Sequence, residues 1–114
     1  MKIAFMFSGQ GAQFPGMMKD LCAAEPAAQQ VFDTADSALG RGISALCFEG
    51  TQEELNLTHN TQPCVLAADL AAAMALRAHG ITHLNMANNH SIDQGREGLM
   101  DTRQNIVRAG MVPV

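Results

Sequence analysis

The sequence predicts an α/β fold in which a partial parallel sheet carries flanking helices, and three observations point there. Residues Lys2–Ser8 form a continuous apolar run cut off by Gly9-Gln10-Gly11. Such a run reads as a strand buried on both faces, and strands of that kind belong to parallel sheets. The segments that follow alternate as helices, strand, helix and partial strand, the order of an α/β chain. Finally, 47% of the residues are hydrophobic but only 4% are aromatic, with no Trp or Tyr. Ala, Leu and Met must therefore fill the core, which suits close helix packing better than an aromatic-rich sandwich.

After the first strand, Gln13, Phe14, Pro15 and Gly16 mark a turn, and Met17–Ala24 reads as a short amphipathic piece. Glu25-Pro26 opens a clearer helix, because proline is tolerated at the first helical position and Val31, Phe32, Ala35, Ala38 and Leu39 recur at helical spacing. Gly40 closes it as a C-terminal cap. Thr51-Gln52-Glu53-Glu54 fits a capping box, in which the Thr51 hydroxyl takes a backbone donor and Glu54 reaches back, so a short helix starts there.

From Thr61 to Gly80 a longer helix is expected, with Pro63 in its first turn and an almost wholly apolar surface. A helix with so little polar face belongs inside a larger body. Ile81–Ala87 is a second strand, weakened by His83 and Asn85, and Asn88–Gly95 is a polar loop. Glu97–Ala109 is a helix with Leu99, Thr102, Ile106 and Ala109 on one face and Gly110 as its stop, and Met111–Val114 begins a further strand.

A length of 114 residues with a net charge of −4 is the arithmetic of one small domain, burying about 65% of its unfolded surface. Seven Lys and Arg against eleven Asp and Glu leave no basic stripe, so nucleic acid is not an expected partner. The N-terminal apolar run is too short for a signal peptide and no segment nears the ~20 apolar residues that span a bilayer, so a cytoplasmic protein is expected with no membrane partner. Cys22, Cys47 and Cys64 are odd in number and far apart in sequence. They suggest neither a disulfide framework nor a CxxC metal site, and read as reduced, partly buried fillers.

The turn Gly9-Gln10-Gly11 directly after a buried strand is the first place for chemistry. Two glycines one residue apart allow sharp turning, and the backbone N–H groups exposed by such a turn can receive an anionic oxygen. It lacks the Lys-Ser/Thr ending of a phosphate-binding loop and the third glycine of a dinucleotide site. On spacing alone, a tight turn without chemistry is the favoured reading.

Phe5-Met6-Phe7-Ser8-Gly9-Gln10-Gly11-Ala12-Gln13-Phe14-Pro15-Gly16-Met17, then Thr51-Gln52-Glu53-Glu54-Leu55 and Thr61-Gln62-Pro63, resembles the N-terminal part of the malonyl-CoA:acyl carrier protein transacylases over about residues 1–81. The resemblance implies an incomplete hydrolase-like acyltransferase core. It also implies acyl transfer through an acyl-serine in bacterial fatty acid or polyketide synthesis, with malonyl-CoA as substrate, acyl carrier protein as partner and no cofactor. It assigns to Gln10 a backbone N–H of the oxyanion hole, flanked by Gly9 and Gly11 at the substrate, and places Gln62 near the site. Gln62 reads equally well as a helix N-terminal residue before Pro63.

The family's nucleophile lies in Gly-His-Ser-x-Gly-Glu, and His90-Ser91 falls within a residue or so of the expected distance after Gly80-Ile81. By resemblance Ser91 is the nucleophile and His90 its neighbour at the elbow. Asn89 and Asp93 stand where that motif has glycines, which puts the strained elbow in doubt. The family's catalytic histidine and its arginine for the malonyl carboxylate have no counterpart here, so the chain is expected to be a truncated or composite member, inactive alone.

Ala87-Asn88-Asn89-His90-Ser91-Ile92-Asp93-Gln94-Gly95, with Gly98-Leu99-Met100-Asp101-Thr102, resembles a second family, the poly-gamma-glutamate capsule synthesis proteins of the metallophosphoesterase-like class. That resemblance covers about residues 85–110. It implies a divalent metal held by Asn89 and His90, an Asn carbonyl being a neutral hard ligand and His a ligand or proton donor. Two segments follow: an acyltransferase-like piece over 1–81 and a strand-loop-helix piece over 82–114. A third alternative is a non-enzymatic relic that self-associates through exposed apolar faces.

Overall fold

The structure, a computed structural model, describes residues 4–7, 9–85 and 95–114. The chain divides into two compact units, Met1–Ala78 and His79–Val114.

The first unit is helical: α1 (Lys19–Ala24), α2 (Pro26–Leu39), α3 (Ile43–Glu49), α4 (Gln52–Asn56) and α5 (Thr58–Ala78). Pro26 stands at the start of α2 and Gly40 ends it with φ +62°, as the sequence predicts. The Thr51 capping box is present in both directions: Glu54 N–H donates to Thr51 Oγ1 at 3.2 Å, and Thr51 N–H donates to Glu54 Oε2 at 2.8 Å.

The spacing of Ala28 and Phe32 puts both on one face of α2, where they are fully buried. They face the alanine-rich side of α5, including Ala67 and Ala71, and the absence of bulk there lets the two helices pack closely. Phe32 adds a tilted contact with Phe48, ring centroids 5.2 Å apart. Burial of a side chain of this size contributes about 2–3 kcal/mol. Ile43, Cys47, Leu55 and Cys64 complete the core.

α3 has no counterpart in the sequence pattern, because its cap is not local. Gly42 precedes it without a side-chain bond. Asp36 of α2 accepts from the Ser44 N–H at 2.9 Å and from the Ser44 hydroxyl, satisfying a donor of the first turn from another helix.

α5 starts three residues before the expected Thr61, so Pro63 is its sixth residue rather than part of its first turn. Proline has no N–H to give the carbonyl four residues back, that of His59. Arg41 fills the vacancy, its Nη1 donating to His59 O at 3.3 Å while Nη2 donates to Asn60 Oδ1. The opposite side of α5 carries Leu66 and Leu70, 61% and 49% exposed. Together with Val31, Ala35, Leu39 and Pro63 they line an apolar groove of about 510 Å³ between α2 and α5.

The expected strand over Lys2–Ser8 is not formed in the described residues. Residues 4–7 join no ladder and Met6 is 94% exposed. An apolar run becomes a strand only where a neighbour takes its N–H and C=O groups, and nothing local supplies one.

The second unit holds β1 (His83–Leu84), α6 (Gly95–Arg108) and β2 (Val112–Pro113). β1 and β2 pair in parallel, His83 opposite Val112 and Leu84 opposite Pro113. Val112 N–H donates to Thr82 O at 2.6 Å and Val114 N–H to Leu84 O at 2.7 Å. α6 supplies the crossover a parallel pair requires. Leu99, Ile106 and Ala109 are half-buried along it as the periodicity predicts, but Thr102 is exposed and turns its hydroxyl back to Gly98 O at 2.9 Å. The fold class is α/β, a mostly helical chain with a small two-stranded parallel sheet built from the later strands.

Candidate functional site

The Gly9–Ala12 turn closes through Ala12 N–H to Gly9 O at 3.2 Å. Gly11 has φ +104°, a conformation that a side chain would strain, which explains the second glycine. Its N–H donates to Gln13 Oε1 at 2.8 Å. An incoming oxygen at Gly11 therefore competes with Gln13. Gln10 is exposed at the tip of the turn.

Three amide side chains tie this turn to α4. Gln13 Nε2 donates to Asn56 Oδ1 at 2.9 Å, and Gln52 Nε2 donates to Asn56 Oδ1 at 2.9 Å and to Gln13 O at 3.2 Å. The turn's attitude thus depends on Gln13, Gln52 and Asn56. None of these stands out by residue type or spacing, since their partners lie up to 43 residues away.

The neighbouring segment carries more constraint. Gly16, φ +84°, donates its N–H to Cys47 O at 2.9 Å. Met18 has φ +66°, the one non-glycine in the left-handed region among the described residues, a conformation costing about 1–2 kcal/mol. Ala12, Gln13, Met17 and Met18 border a cleft of about 90 Å³ with Val65 and Asp69. Burial pushes the Asp69 carboxyl above its usual range.

Gln62 is exposed as the fifth residue of α5, so it is not the helix's N-terminal residue. Its neighbour Thr61 is 1% exposed and anchors the segment, its hydroxyl donating to Leu55 O at 2.5 Å. Asn60 Nδ2 donates to Glu54 O at 2.9 Å. Buried Thr61 and Asn60 satisfy carbonyls of α4 and hold Gln62 outward.

Ser91, His90 and Asn89 lie outside the described residues. Among the described residues no three His, Cys, Asp or Glu side chains converge as metal ligands. Cys22, Cys47 and Cys64 are free and buried, and the fold gathers all three into one core despite their separation in sequence. No helix among the described residues is long and apolar enough to cross a membrane.

Comparison with known proteins gives two sets of likenesses. The family model of the bacterial capsule synthesis protein PGA_cap matches residues 11–114. The malonyl CoA-acyl carrier protein transacylase of Bacillus subtilis (strain 168) is 49% identical over 81 residues, 71% of this chain and 26% of that protein. An acyl carrier protein S-malonyltransferase from Vibrio cholerae O1 biovar eltor superposes with a TM-score of 0.66 at 30% identity, covering 90% of this chain and 34% of that one. A malonyl-transacylase solved in complex with a type II PKS acyl-carrier protein superposes with a TM-score of 0.61 at 43% identity, covering 65% and 24%. The chain thus spans about a quarter to a third of the length of the relatives it matches.

Proposed function

We propose, for a chain that belongs to the malonyl CoA-acyl carrier protein transacylase family through its N-terminal part and to the bacterial capsule synthesis protein PGA_cap family by the match over residues 11–114, that its chemistry is acyl transfer and that it is inactive alone. The observation that carries this is the Gly9–Ala12 turn, held in place by Gln13, Gln52 and Asn56, with Gly11 N–H engaged and Gln10 at the tip. Gln10 N–H is then the donor to a developing oxyanion, where one such bond is worth about 10²–10³ in rate. Gly9 and Gly11 let substrate approach the backbone, and Gln62, held outward by Thr61, borders the same substrate.

In this reading the Ser91 hydroxyl, with His90 its neighbour in sequence, attacks the thioester carbonyl of malonyl-CoA, the C–S bond breaks and CoA leaves as the thiol with the serine's proton; the thiol of an acyl carrier protein then attacks the acyl-serine, taking the malonyl group and returning a proton to Ser91. The partner is supported by the relative solved with its carrier protein. Inactivity of the isolated chain is supported by its span of 26% and 34% of the length of two relatives and by the open groove between α2 and α5, whose apolar walls drive self-association. The two segments join near residues 81–85, and the site of action is the cytoplasm.

A graft tests this. Residues 1–81 replace the corresponding segment of the Bacillus subtilis transacylase, and malonyl transfer is measured. An active graft is expected, retained in Gln10→Ala, which keeps the backbone N–H, and reduced about 10²–10³-fold in Gln10→Pro, which removes it. A folded but inactive graft, or equal rates in the two variants, overturns the reading. The chain alone should acquire no malonyl adduct; an adduct lost in Ser91→Ala overturns the inactivity.

The PGA_cap match favours a second reading, a metal-dependent phosphoester module at Asn89 and His90. Stoichiometric manganese or zinc uptake, lost in His90→Ala, would establish it, and absence of uptake in calorimetry removes it.

A further inference from the structure

Packing does not hold the Gly9–Ala12 turn: a Cβ placed on Gly9 or Gly11 would meet nothing within 4 Å among the described residues. Polar contacts hold it instead. Gly11 N–H can only donate, and it meets Gln13 Oε1 at 2.8 Å, which turns Gln13 Nε2 toward Asn56 Oδ1 at 2.9 Å. Gln13 O can only accept, and Gln52 Nε2 donates to it at 3.2 Å while giving its second hydrogen to Asn56 Oδ1 at 2.9 Å. Gln52 and Asn56 lie one turn apart on α4 and so share a face.

Asn56 Oδ1 is the junction of this chain of amides. It takes one N–H from Gln13 and one from Gln52, and backbone groups fix the direction at both ends. Reversing any one of the three carboxamides would set donor against donor or acceptor against acceptor. Gln13 is therefore locked with its oxygen on Gly11 N–H, and that N–H is withheld from any other acceptor. Gln10 N–H has no backbone acceptor among the described residues. We propose, resting on the acyl-transfer reading, that Asn56 is a positioning residue for that reaction: through Gln13 it keeps Gly11 N–H occupied and leaves Gln10 N–H as the turn's donor to the oxyanion.

In this role Asn56 touches neither substrate nor reacting atoms, and its effect passes through Gln13. Without the Asn56 oxygen, Gln13 Nε2 loses its acceptor, the carboxamide turns to water, and Gly9 and Gly11 let the turn rotate. The Gln10 donor is then present but misplaced, and misplacement by about 1 Å costs up to ~10²-fold in rate. Contacts made by the rest of the substrate are untouched, so kcat falls while KM holds. Asn56→Asp keeps an oxygen for both amides. Asn56→Leu keeps the size of the side chain and removes the acceptor.

The test begins with the full chain. Backbone amide exchange is followed by NMR, and Gly11 N–H is expected to exchange about fivefold to tenfold more slowly than in an unstructured peptide. The protection should vanish in Asn56→Leu and survive in Asn56→Asp. An unprotected Gly11 N–H in the wild-type chain overturns the proposal without reliance on any variant's folding. Kinetics come from the Bacillus subtilis transacylase graft, in which Asn56→Leu should lower kcat about 10-fold or more at unchanged KM for malonyl-CoA, and Asn56→Asp should restore most of it. A folded Asn56→Leu graft with wild-type kcat, or a loss that Asn56→Asp does not repair, overturns the positioning role and leaves acyl transfer standing. An inactive wild-type graft with Gly11 N–H protected overturns the acyl-transfer reading, and the role with it.

Discussion

The guanidinium of Arg41 donates to the carbonyl of His59, the acceptor that Pro63 leaves without an N–H. A proline well inside a helix is tolerated when the orphaned carbonyl finds another donor. Arg41→Ala should therefore cost about 1 kcal/mol. In a Pro63→Ala background, where residue 63 again has an N–H to offer, the same substitution should cost less than half as much. A double-mutant cycle by urea denaturation measures the difference. The Arg41 bond to Asn60 is present in both backgrounds and drops out of the comparison.

Asp36 holds the start of α3 from another helix through Ser44. Asp36→Ala should destabilise the protein by about 1–2 kcal/mol, the range of a lost helix cap. Asp33→Ala, an exposed change on the same helix, should cost less than 1 kcal/mol. Urea midpoints compared at constant slope check both.

Gly50 ends α3 at an ordinary φ of −69°, yet a Cβ there would lie 2.4 Å from Leu46 O. Gly50→Ala must displace backbone, and a loss of about 2–3 kcal/mol is expected. At Gly40, φ +62°, a Cβ meets nothing within 4 Å, so Gly40→Ala carries only the left-handed penalty of about 1 kcal/mol. Thermal melts of the two variants should fall in that order.

Asp69 has its carboxyl raised by burial, so the native state holds this proton more tightly than the unfolded state does. Its contribution to stability is complete below the unfolded value of 3.8 and is lost as pH rises through the higher folded value. Asp69→Asn should therefore stabilise the protein at neutral pH, with the advantage vanishing below about 3.8. Melting curves across pH 3–7 test the sign; an advantage that grows on acidification contradicts it.

Leu66 and Leu70 stand exposed along the α2–α5 groove. Leu66→Gln with Leu70→Gln should leave the melting temperature nearly unchanged and shift the chain toward smaller species in sizing chromatography. An elution volume identical to wild type at every concentration would remove this groove as the seat of self-association.

Local signals were readable in the sequence. Pro26 and Gly40 bracket α2, and Thr51 with Glu54 starts α4, because caps and turns are decided within a few residues. α3 was not readable, because its first-turn donor is satisfied by Asp36 eight residues earlier and on a different helix. Within the strand expected over Lys2–Ser8, the described residues 4–7 form none for a related reason: apolar character marks a segment for burial, but pairing depends on a partner far away.

The Gly9-Gln10-Gly11 turn was legible from its glycines, whereas the outward placement of Gln62 was not, because it follows from α5 starting at Thr58. The amide network that fixes the turn was not, since Gln13, Gln52 and Asn56 look like surface residues until α4 folds beside them. The gathering of Cys22, Cys47 and Cys64 into one core was equally hidden, arising only when the helices pack.

The parallel pairing of His83 with Val112 spans 29 residues, whereas the buried helical core is complete at Ala71. A ribosome adding ~5–20 residues per second makes Ala71 roughly 2–8 s before Val112. Helices with mostly local contacts close in far less time than that. Among the described contacts the strand pair therefore forms after the helical core during synthesis, and the first unit is already folded while the second still has one strand of its pair.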